Sequence, residues 1–319
     1  VMFDSMRGLS NDGDSLYLEA NASSAENGFT DYISLQADGF TVKGSHNSIN
    51  ASGENYCYIA IAAETGRTIN SKNITAGTDV FAMDTGSSSS TIPTFDSNFA
   101  VDMAFNREPA SSMNWSLSTR LTGPETLTLN SSGSAGSGSY APWDSNVGYG
   151  KTRSSSYQAW MWKRHAGFDA LCYGPSTGTT AMSIPHNLGQ IPEMIWVKVR
   201  DDNRSWAVYH KGLNGGTNPE QYWLSLDDIT DAEIDSNNIW NDTAPSATHF
   251  TVGIGYPVNL PANSNRIALL FSSVDGISRV GSWTGSGSTQ TIPVGFAPRF
   301  LMWKRANAAE KWYVVDTLR

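Results

Sequence analysis

Acidic side chains gather in one stretch of the chain, where they could bind a calcium ion. Asp227, Asp228 and Asp231 supply carboxylates close together in sequence, and calcium takes about six to eight oxygen ligands. The alternative is a solvated acidic loop that binds nothing. Apart from this possible calcium ion, we expect no cofactor.

Three tryptophans could instead contact sugars. Trp143, Trp223 and Trp240 lie in loop-like surroundings that do not recur along the chain. An exposed aromatic ring can stack on a sugar ring, whereas a partly buried ring contributes to a core. Glycan stacking and ordinary partial burial therefore both remain open for these three residues.

The patterns of two common enzyme classes do not occur. The sequence lacks the His-Glu-x-x-His pattern of zinc proteases and the Gly-x-x-x-x-Gly-Lys pattern of phosphate-binding loops. A carboxylate pair for sugar cleavage cannot be assigned, because the acidic residues are scattered. We expect no catalytic residues and no enzyme activity.

The composition favours strands and turns as the elements that position these residues. Among 319 residues, 29 are Gly and 11 are Trp, and only 16% are charged. Ser, Thr and Asn compete with the helical backbone for hydrogen bonds, so a chain rich in them is a poor helix former. The net charge of -9 argues against nucleic acid as a partner. No apolar run is long enough for a membrane span.

Two landmarks recur in fixed order along the chain and predict a repeat of about 100 residues. The first landmark is an Ile-Pro pair after a hydroxyl residue, and the second, roughly 20 residues later, is a tryptophan that begins an alternating apolar segment. The prolines of the first landmark are Pro93, Pro185 and Pro293, and the tryptophans of the second are Trp115, Trp206 and Trp312. We predict that these six residues are structural anchors of the repeat.

The landmarks divide the chain into two complete modules and two halves. The complete modules are residues 67–164 and 165–275, the latter with an acidic insertion. Residues 1–66 resemble the second half of a module and residues 276–319 the first half. Alternating strands with turns every 8–12 residues or so predict an all-β fold of tandem antiparallel β-sandwich, jelly-roll-like modules. The best candidate for a short helix is 227–234.

The two half modules leave three possibilities open. The chain could be a fragment of a longer array, the halves could pair within the chain, or they could pair between neighbouring chains by strand donation. From the sequence we favour the fragment. The two cysteines, Cys57 and Cys172, occupy non-matching positions of the repeat and predict free buried thiols.

One segment carries a resemblance to a known group of proteins. The residues His186-Asn187-Leu188-Gly189-Gln190-Ile191-Pro192, followed by Trp206-Ala207-Val208-Tyr209, resemble repeats of modular virion structural and tail-fibre-like proteins of marine and cyanobacterial tailed bacteriophages. The resemblance is weaker for 67–164. It implies a place on the phage particle and offers no catalytic residues.

These observations lead to three functional hypotheses. The first is a non-enzymatic virion subunit, a tail-fibre, appendage or surface-decoration protein that acts through its assembly interfaces. The second is a lectin-like adhesin that binds host surface glycans, and the third is a polysaccharide depolymerase. The expected partners are copies of the same chain and other virion proteins on the particle surface, with a host glycan as a further possibility.

Overall fold

The structure, a computed structural model, describes residues 74–88, 90–138, 142–227, 231–285 and 291–318. In the range 15–42 it describes the backbone of four strands. These parts of the chain are almost entirely β-structure joined by turns, which confirms the predicted all-β antiparallel class. The only α-helix in them is one turn long.

The strands fall into four groups along the chain. The N-terminal strands are β1 (Ser15–Tyr17), β2 (Asn27–Phe29), β3 (Ile33–Gln36) and β4 (Gly39–Val42). The first unit contains β5 (Phe81–Thr85), β6 (Phe95–Asp96), β7 (Met103–Arg107), β8 (Ser116–Thr119), β9 (Glu125–Thr128), β10 (Gly136–Ser137), β11 (Gly148–Tyr149) and β12 (Gln158–Trp162). The second unit contains β13 (Phe168–Tyr173), β14 (Met182–Pro185), β15 (Met194–Val199), β16 (Ala207–His210), β17 (Tyr222–Ser225), β18 (Ile234–Asp235), β19 (His249–Val252) and β20 (Arg266–Phe271). The C-terminal hairpin consists of β21 (Phe300–Trp303) and β22 (Tyr313–Asp316).

The helices are short and lie in the connections. Among the described residues, the α-helix α1 spans Asn237–Trp240, and four 3-10 helices span Gly77–Asp79, Arg120–Thr122, Leu213–Gly216 and Pro219–Gln221. The best candidate for a short helix, 227–234, shows no helix in its described part, where Ile234 begins strand β18.

The two units have the same strand order. In the first unit the large sheet runs β10-β9-β8-β7-β12-β5, and a small sheet pairs β11 with β6. In the second unit the large sheet runs β18-β17-β16-β15-β20-β13, and a small sheet pairs β19 with β14. Each strand of the first unit therefore has a counterpart eight strands later. The predicted module limits, 67–164 and 165–275, are not tested by this correspondence and stay predictions.

Each unit has a core of its own between its large sheet and the rest of the unit. The first-unit core consists of Phe95, Phe99, Val101, Ala104, Trp143, Tyr149, Ala159 and Met161. The second-unit core includes Tyr173, Ile184, Ile195, Val197, Ala207, Tyr209, Trp240, Phe250 and Leu270. Since alternate residues of a strand point to opposite faces, these cores take only one face of each large sheet.

The other faces of the large sheets meet in a third core, which we call the shared core. Its buried members include Met103, Phe105, Leu117, Leu127 and Trp160 from the first unit, and Phe168, Trp196, Trp206, Val208, Leu224 and Leu269 from the second. Phe300, Met302 and Trp312 of the C-terminal hairpin pack against the same cluster. The shared core therefore joins the first unit, the second unit and the C-terminal hairpin.

Candidate functional site: the contacts between units

The three hairpins that carry the repeated tryptophans have the same register. The residue two positions after each tryptophan pairs with an inward-facing residue of the preceding strand. These pairs are Leu117 with Phe105, Val208 with Trp196, and Val314 with Met302. Because the register is shared, each hairpin turns the same face toward the shared core.

Two of the tryptophans donate a hydrogen bond to the preceding unit. The indole N–H of Trp206 donates to the carbonyl of Thr128 over 2.9 Å. The indole N–H of Trp312 donates to the carbonyl of Ser225, also over 2.9 Å. Thr128 and Ser225 occupy the same place in the two Leu-x-Leu segments of strands β9 and β17. The bond is therefore a repeated link between one unit and the next.

The main chain of the tryptophan is held by a side chain of its own unit. The backbone N–H of Trp115 donates to Asn130 Oδ1 over 2.9 Å, and the backbone N–H of Trp206 donates to Asp227 Oδ1 over 2.8 Å. Short Asn and Asp side chains commonly bond to nearby backbone in this way. The polar residue that ends each Leu-x-Leu segment thus fixes where the tryptophan ring enters the shared core.

A backbone contact repeats beside the tryptophan contact. The N–H of Ala135 donates to the carbonyl of Arg200 over 2.6 Å, and the N–H of Glu233 donates to the carbonyl of Ala306 over 2.7 Å. Arg200 and Ala306 both lie six residues before a repeated tryptophan. Two hydrogen bonds, one from an indole and one from the backbone, therefore recur at each of these junctions.

A charged pair crosses the junction between the first and second units. Arg200 Nη2 lies 2.6 Å from Glu125 Oε2, and Arg200 Nε lies 3.1 Å from the same oxygen. The Arg200 side chain is only 2% exposed, whereas that of Glu125 is 24% exposed. A guanidinium removed from water needs such a partner, because an unpaired buried charge is strongly unfavourable.

A second buried cation, Lys198, lies at the same junction. Its Nζ donates to the carbonyl of Val199 over 2.8 Å and to that of Ser132, in the first unit, over 3.2 Å. Burial lowers the pKa of Lys198 to about 8, and the carboxylates of Asp227 and Asp202 oppose that shift. The ammonium group therefore depends on these acceptors to remain charged near neutral pH.

The shared register identifies which residue of the first unit corresponds to Lys198. Aligned by sequence alone, Asn106 takes the place of the lysine. In the structure, Arg107, Lys198 and Lys304 each lie eight residues before a repeated tryptophan, so the alignment on Asn106 is off by one residue. Arg107 Nη2 donates to the carbonyl of Ser111 over 2.8 Å, and its Cζ lies 4.9 Å from the centroid of the Trp115 ring. A cation at this position is common to the three hairpins.

The C-terminal hairpin contacts the first unit as well as the second. The ring of Phe300 lies 5.5 Å from those of Phe81 and Trp162 and 6.2 Å from that of Phe105. These aromatic contacts complement the bond from Trp312 to the second unit. The first unit, the second unit and the C-terminal hairpin therefore contact one another around the shared core, whereas in a linear array the hairpin would contact only the second unit.

The tryptophans predicted to stack on glycans are mostly inside the protein. Trp143 and Trp240 are each 2% exposed. The indole of Trp143 donates to the carbonyl of Gly123 over 2.7 Å, and Trp240 packs edge-on against Tyr209. Trp223 is half-buried against the second-unit core. Sugar stacking by Trp143 and Trp240 is therefore wrong, because no sugar can reach a ring enclosed by its own unit.

The acidic cluster has a structural role where it is described. Asp227 accepts the bond from the backbone of Trp206, and burial raises the pKa of its carboxyl. Asp231 is half-buried, and Asp228 lies outside the described residues. In the ranges that the structure describes, no three His, Cys, Asp or Glu side chains come together as a metal site. The calcium prediction thus has no support from Asp227 and Asp231.

The repeated prolines differ in both position and exposure, since Pro185 lies within β14 whereas Pro93 lies before β6. Pro185 belongs to β14 and pairs with His249, and Pro93 is half-buried. A Cβ at Gly148 would lie only 2.6 Å from the Pro93 ring, so the glycine allows β11 to pack there. Pro293 is exposed. Cys172 is buried, while Cys57 lies outside the described residues, so their prediction as free thiols stays a prediction.

A serine motif that sequence reasoning overlooked does not form a nucleophile site. Residues Gly174-Pro175-Ser176-Thr177-Gly178 match the Gly-x-Ser-x-Gly pattern of hydrolases. That pattern requires a sharp strand-to-helix turn that presents the serine. Here a loop follows β13, and Ser176 Oγ donates to the carbonyl of Asn259 over 2.9 Å. This hydrogen bond joins the loop after β13 to the loop that contains Asn259.

Comparison with protein families gives one match. The model of a family described as Domain of unknown function (DUF7483) matches residues 1–65 and 162–319. The chain belongs to the DUF7483 family. The DUF7483 match leaves out 66–161, which holds the strands of the first unit. Comparison with curated proteins and with solved structures gives no match. None of the helices in the described part of this DUF7483 protein is long and apolar enough to cross a membrane.

Proposed function

We propose that the protein is a non-enzymatic structural subunit of a tailed-phage virion, a tail-fibre, appendage or surface-decoration protein. The observation that supports this most is where the large and charged side chains are placed. Phe105, Trp206 and Phe300 and the pair of Arg200 with Glu125 lie between units, where they stabilise contacts. They are not gathered in a cleft that could bind a substrate.

The shared core supports a mechanical role in an assembly for the same reason. A repeat whose units only touch through linkers can separate unit by unit. In this protein each unit shares buried aromatic surface with its neighbours, and burying one aromatic ring removes about 150–250 Å² from water. Separating the units would expose that surface, so the units should resist separation as one body.

Immunogold electron microscopy tests the proposal. An antibody against the purified chain is applied to particles from a lysate in which the gene is expressed. Gold on tail fibres, on another appendage or on the shell supports the proposal and locates the subunit. If the protein is abundant in the lysate but purified particles carry no gold, the protein is not a virion subunit.

A glycan array separates the proposal from the adhesin alternative. The labelled protein is applied to host surface glycans, with a Trp223→Ala variant as the matched control, because Trp223 is the part-exposed member of the three predicted tryptophans. A structural subunit gives no reproducible signal. A signal that Trp223→Ala abolishes would favour a lectin-like adhesin.

A further inference from the structure

One face of the C-terminal hairpin is bare where the equivalent face of the second unit is covered. The outward-facing residues of the hairpin are Leu301 (42% exposed), Tyr313 (42%) and Val315 (49%). Their counterparts in the second unit are Ile195 (1%), Ala207 (0%) and Tyr209 (5%). An apolar sheet face of this kind is stable when another element covers it. The second-unit core shows that the cover comes from the second half of a unit, in which Trp240 and Phe250 lie.

Both edges of the hairpin also lack neighbours among the described strands. In the second unit the strand equivalent to β22 pairs with β17, and the strand equivalent to β21 pairs with β20. No described strand takes either place beside β21–β22. Open edges present unpaired N–H and C=O groups that readily bind a further strand.

The N-terminal segment contains a hairpin with the register that the open edge requires. In β9–β10 the residue before Leu127, Thr126, pairs with Gly136. In β17–β18 the residue before Leu224, Trp223, pairs with Ile234. In β1–β2 the residue before Leu18, Tyr17, pairs with Asn27. The N-terminal hairpin therefore repeats the strand pair that follows the tryptophan hairpin in both complete units.

The first unit also has a tryptophan, Trp115, whose indole could donate the same hydrogen bond. The indoles of Trp206 and Trp312 bond to the Leu-x-Leu segment of the unit before them. No described residue accepts a bond from the indole of Trp115. The matching carbonyl in residues 1–66 would be that of Glu19, which lies outside the described residues. A strand that contains Glu19 would thus contact the C-terminal hairpin on one side and Trp115 of the first unit on the other.

We infer that residues 1–66 of the same chain complete the C-terminal hairpin, so that the halves 1–66 and 276–318 form a third unit. Leu18 pairs with Val314, and Glu19 pairs with Tyr313, as Leu127 and Thr128 pair with Leu117 and Ser116. Contacts of the C-terminal hairpin with both the first and the second unit favour this occupant, since they bring the end of the chain back to the first unit.

Cysteine cross-linking tests the pairing. Tyr313→Cys and Glu19→Cys are combined in a Cys57→Ser background, and the dilute folded protein is oxidised. Residues directly opposite in antiparallel strands have Cβ atoms about 4.5–5.5 Å apart, close to the separation in a disulfide. We expect a disulfide within one chain, seen on a non-reducing gel and as one linked peptide in mass spectrometry.

Two control pairs make the result decisive. Ser116→Cys with Thr128→Cys occupies the equivalent, described pair of the first unit and should cross-link under the same conditions. Tyr313→Cys with Ala20→Cys shifts the register by one residue, which moves the side chain to the other face, and should not cross-link. If the Ser116 pair forms its disulfide and the Tyr313–Glu19 pair does not, the inference is wrong. A Tyr313–Glu19 disulfide that joins two chains would also overturn it, because a second copy would then supply the strand.

Discussion

The first and second units reach the same strand order with different side chains. Trp115 of the first unit is half-buried and lies beside the Arg107 guanidinium, whereas Trp206 of the second unit is fully buried. Their backbones are held by a neutral Asn130 in one unit and an acidic Asp227 in the other. The register of the hairpins is thus preserved although the charge and burial around the tryptophan differ.

The comparison teaches that the contact geometry, rather than residue identity, is what the repeat maintains. The DUF7483 match covers the strands of the second unit and leaves out the first. Both units nevertheless turn a tryptophan-bearing hairpin toward the shared core. The differences between them make unit-specific predictions, which we order from the largest expected effect to the smallest.

The largest effect is expected when the buried tryptophan is removed. Trp206→Ala should lower the free energy of unfolding by about 3–5 kcal/mol, because it leaves a cavity in the shared core and an unbonded Thr128 carbonyl. Trp115→Ala, at a half-buried position, should cost about half as much. Urea denaturation followed by fluorescence measures both. Equal losses of unfolding free energy for the two variants would mean that the two tryptophan side chains do not differ in burial.

The pair across the junction should have the next largest effect. Glu125→Gln removes the carboxylate that accepts two bonds from the almost fully buried Arg200 guanidinium, and we expect a loss of about 2 kcal/mol in unfolding free energy. This lies below the range for fully buried pairs because Glu125 is partly exposed. Asp144→Asn, at an exposed position, serves as the control and should change stability little. A loss no larger than that of the control would show that solvent already screens the pair.

Acid should affect the second unit more than the first. Burial lowers the pKa of His165 and of His210 to about 4, from an ordinary value of 6.5. Below pH 6.5 the unfolded chain binds a proton at each histidine and the folded chain does not. Between pH 6.5 and 4 the free energy of unfolding should therefore fall by about 1.4 kcal/mol per pH unit for each histidine.

Hydrogen exchange, corrected for its intrinsic pH dependence, locates the effect of acid. Residues 74–162 contain no histidine, so protection should be lost first in the second unit. His210→Thr installs the residue that the first unit has at the equivalent position, Thr119. This variant should lose about 1.4 kcal/mol less unfolding free energy per pH unit on acidification, because one of the two histidines is gone. An unchanged slope of stability against pH would mean that His210 is not buried in its neutral form.

The smallest effect is expected where the units differ only in charge. Asp227→Asn copies Asn130 of the first unit and keeps the acceptor for the Trp206 backbone. Burial raises the pKa of Asp227, so the loss of its charge relieves desolvation, but it also removes a carboxylate that favours protonated Lys198. We expect a stability change below about 1 kcal/mol and a further fall in the pKa of Lys198. NMR titration of the lysine would detect an unchanged pKa, which would contradict the electrostatic coupling.

Much of the fold could be predicted from the chain alone. Period-2 alternation, frequent turn residues and the recurring tryptophans indicate antiparallel strands in repeated hairpins, because these signals act over a few neighbouring residues. The sites were harder to predict. Trp143 and Trp240 lie in loop-like sequence, yet their own unit closes over them. The salt bridge of Arg200 with Glu125 joins residues far apart in sequence and has no local signal.

The sequence by itself determined the strand class, the order of the landmarks and the position of the repeated tryptophans, since each follows from local residue pattern. Only the tertiary structure decided that the faces of Phe105, Trp196 and Met302 meet in one core. An alternating strand has two faces, and its sequence does not state which neighbour covers each of them. That choice depends on how whole sheets pack, which brings together residues from every unit at once.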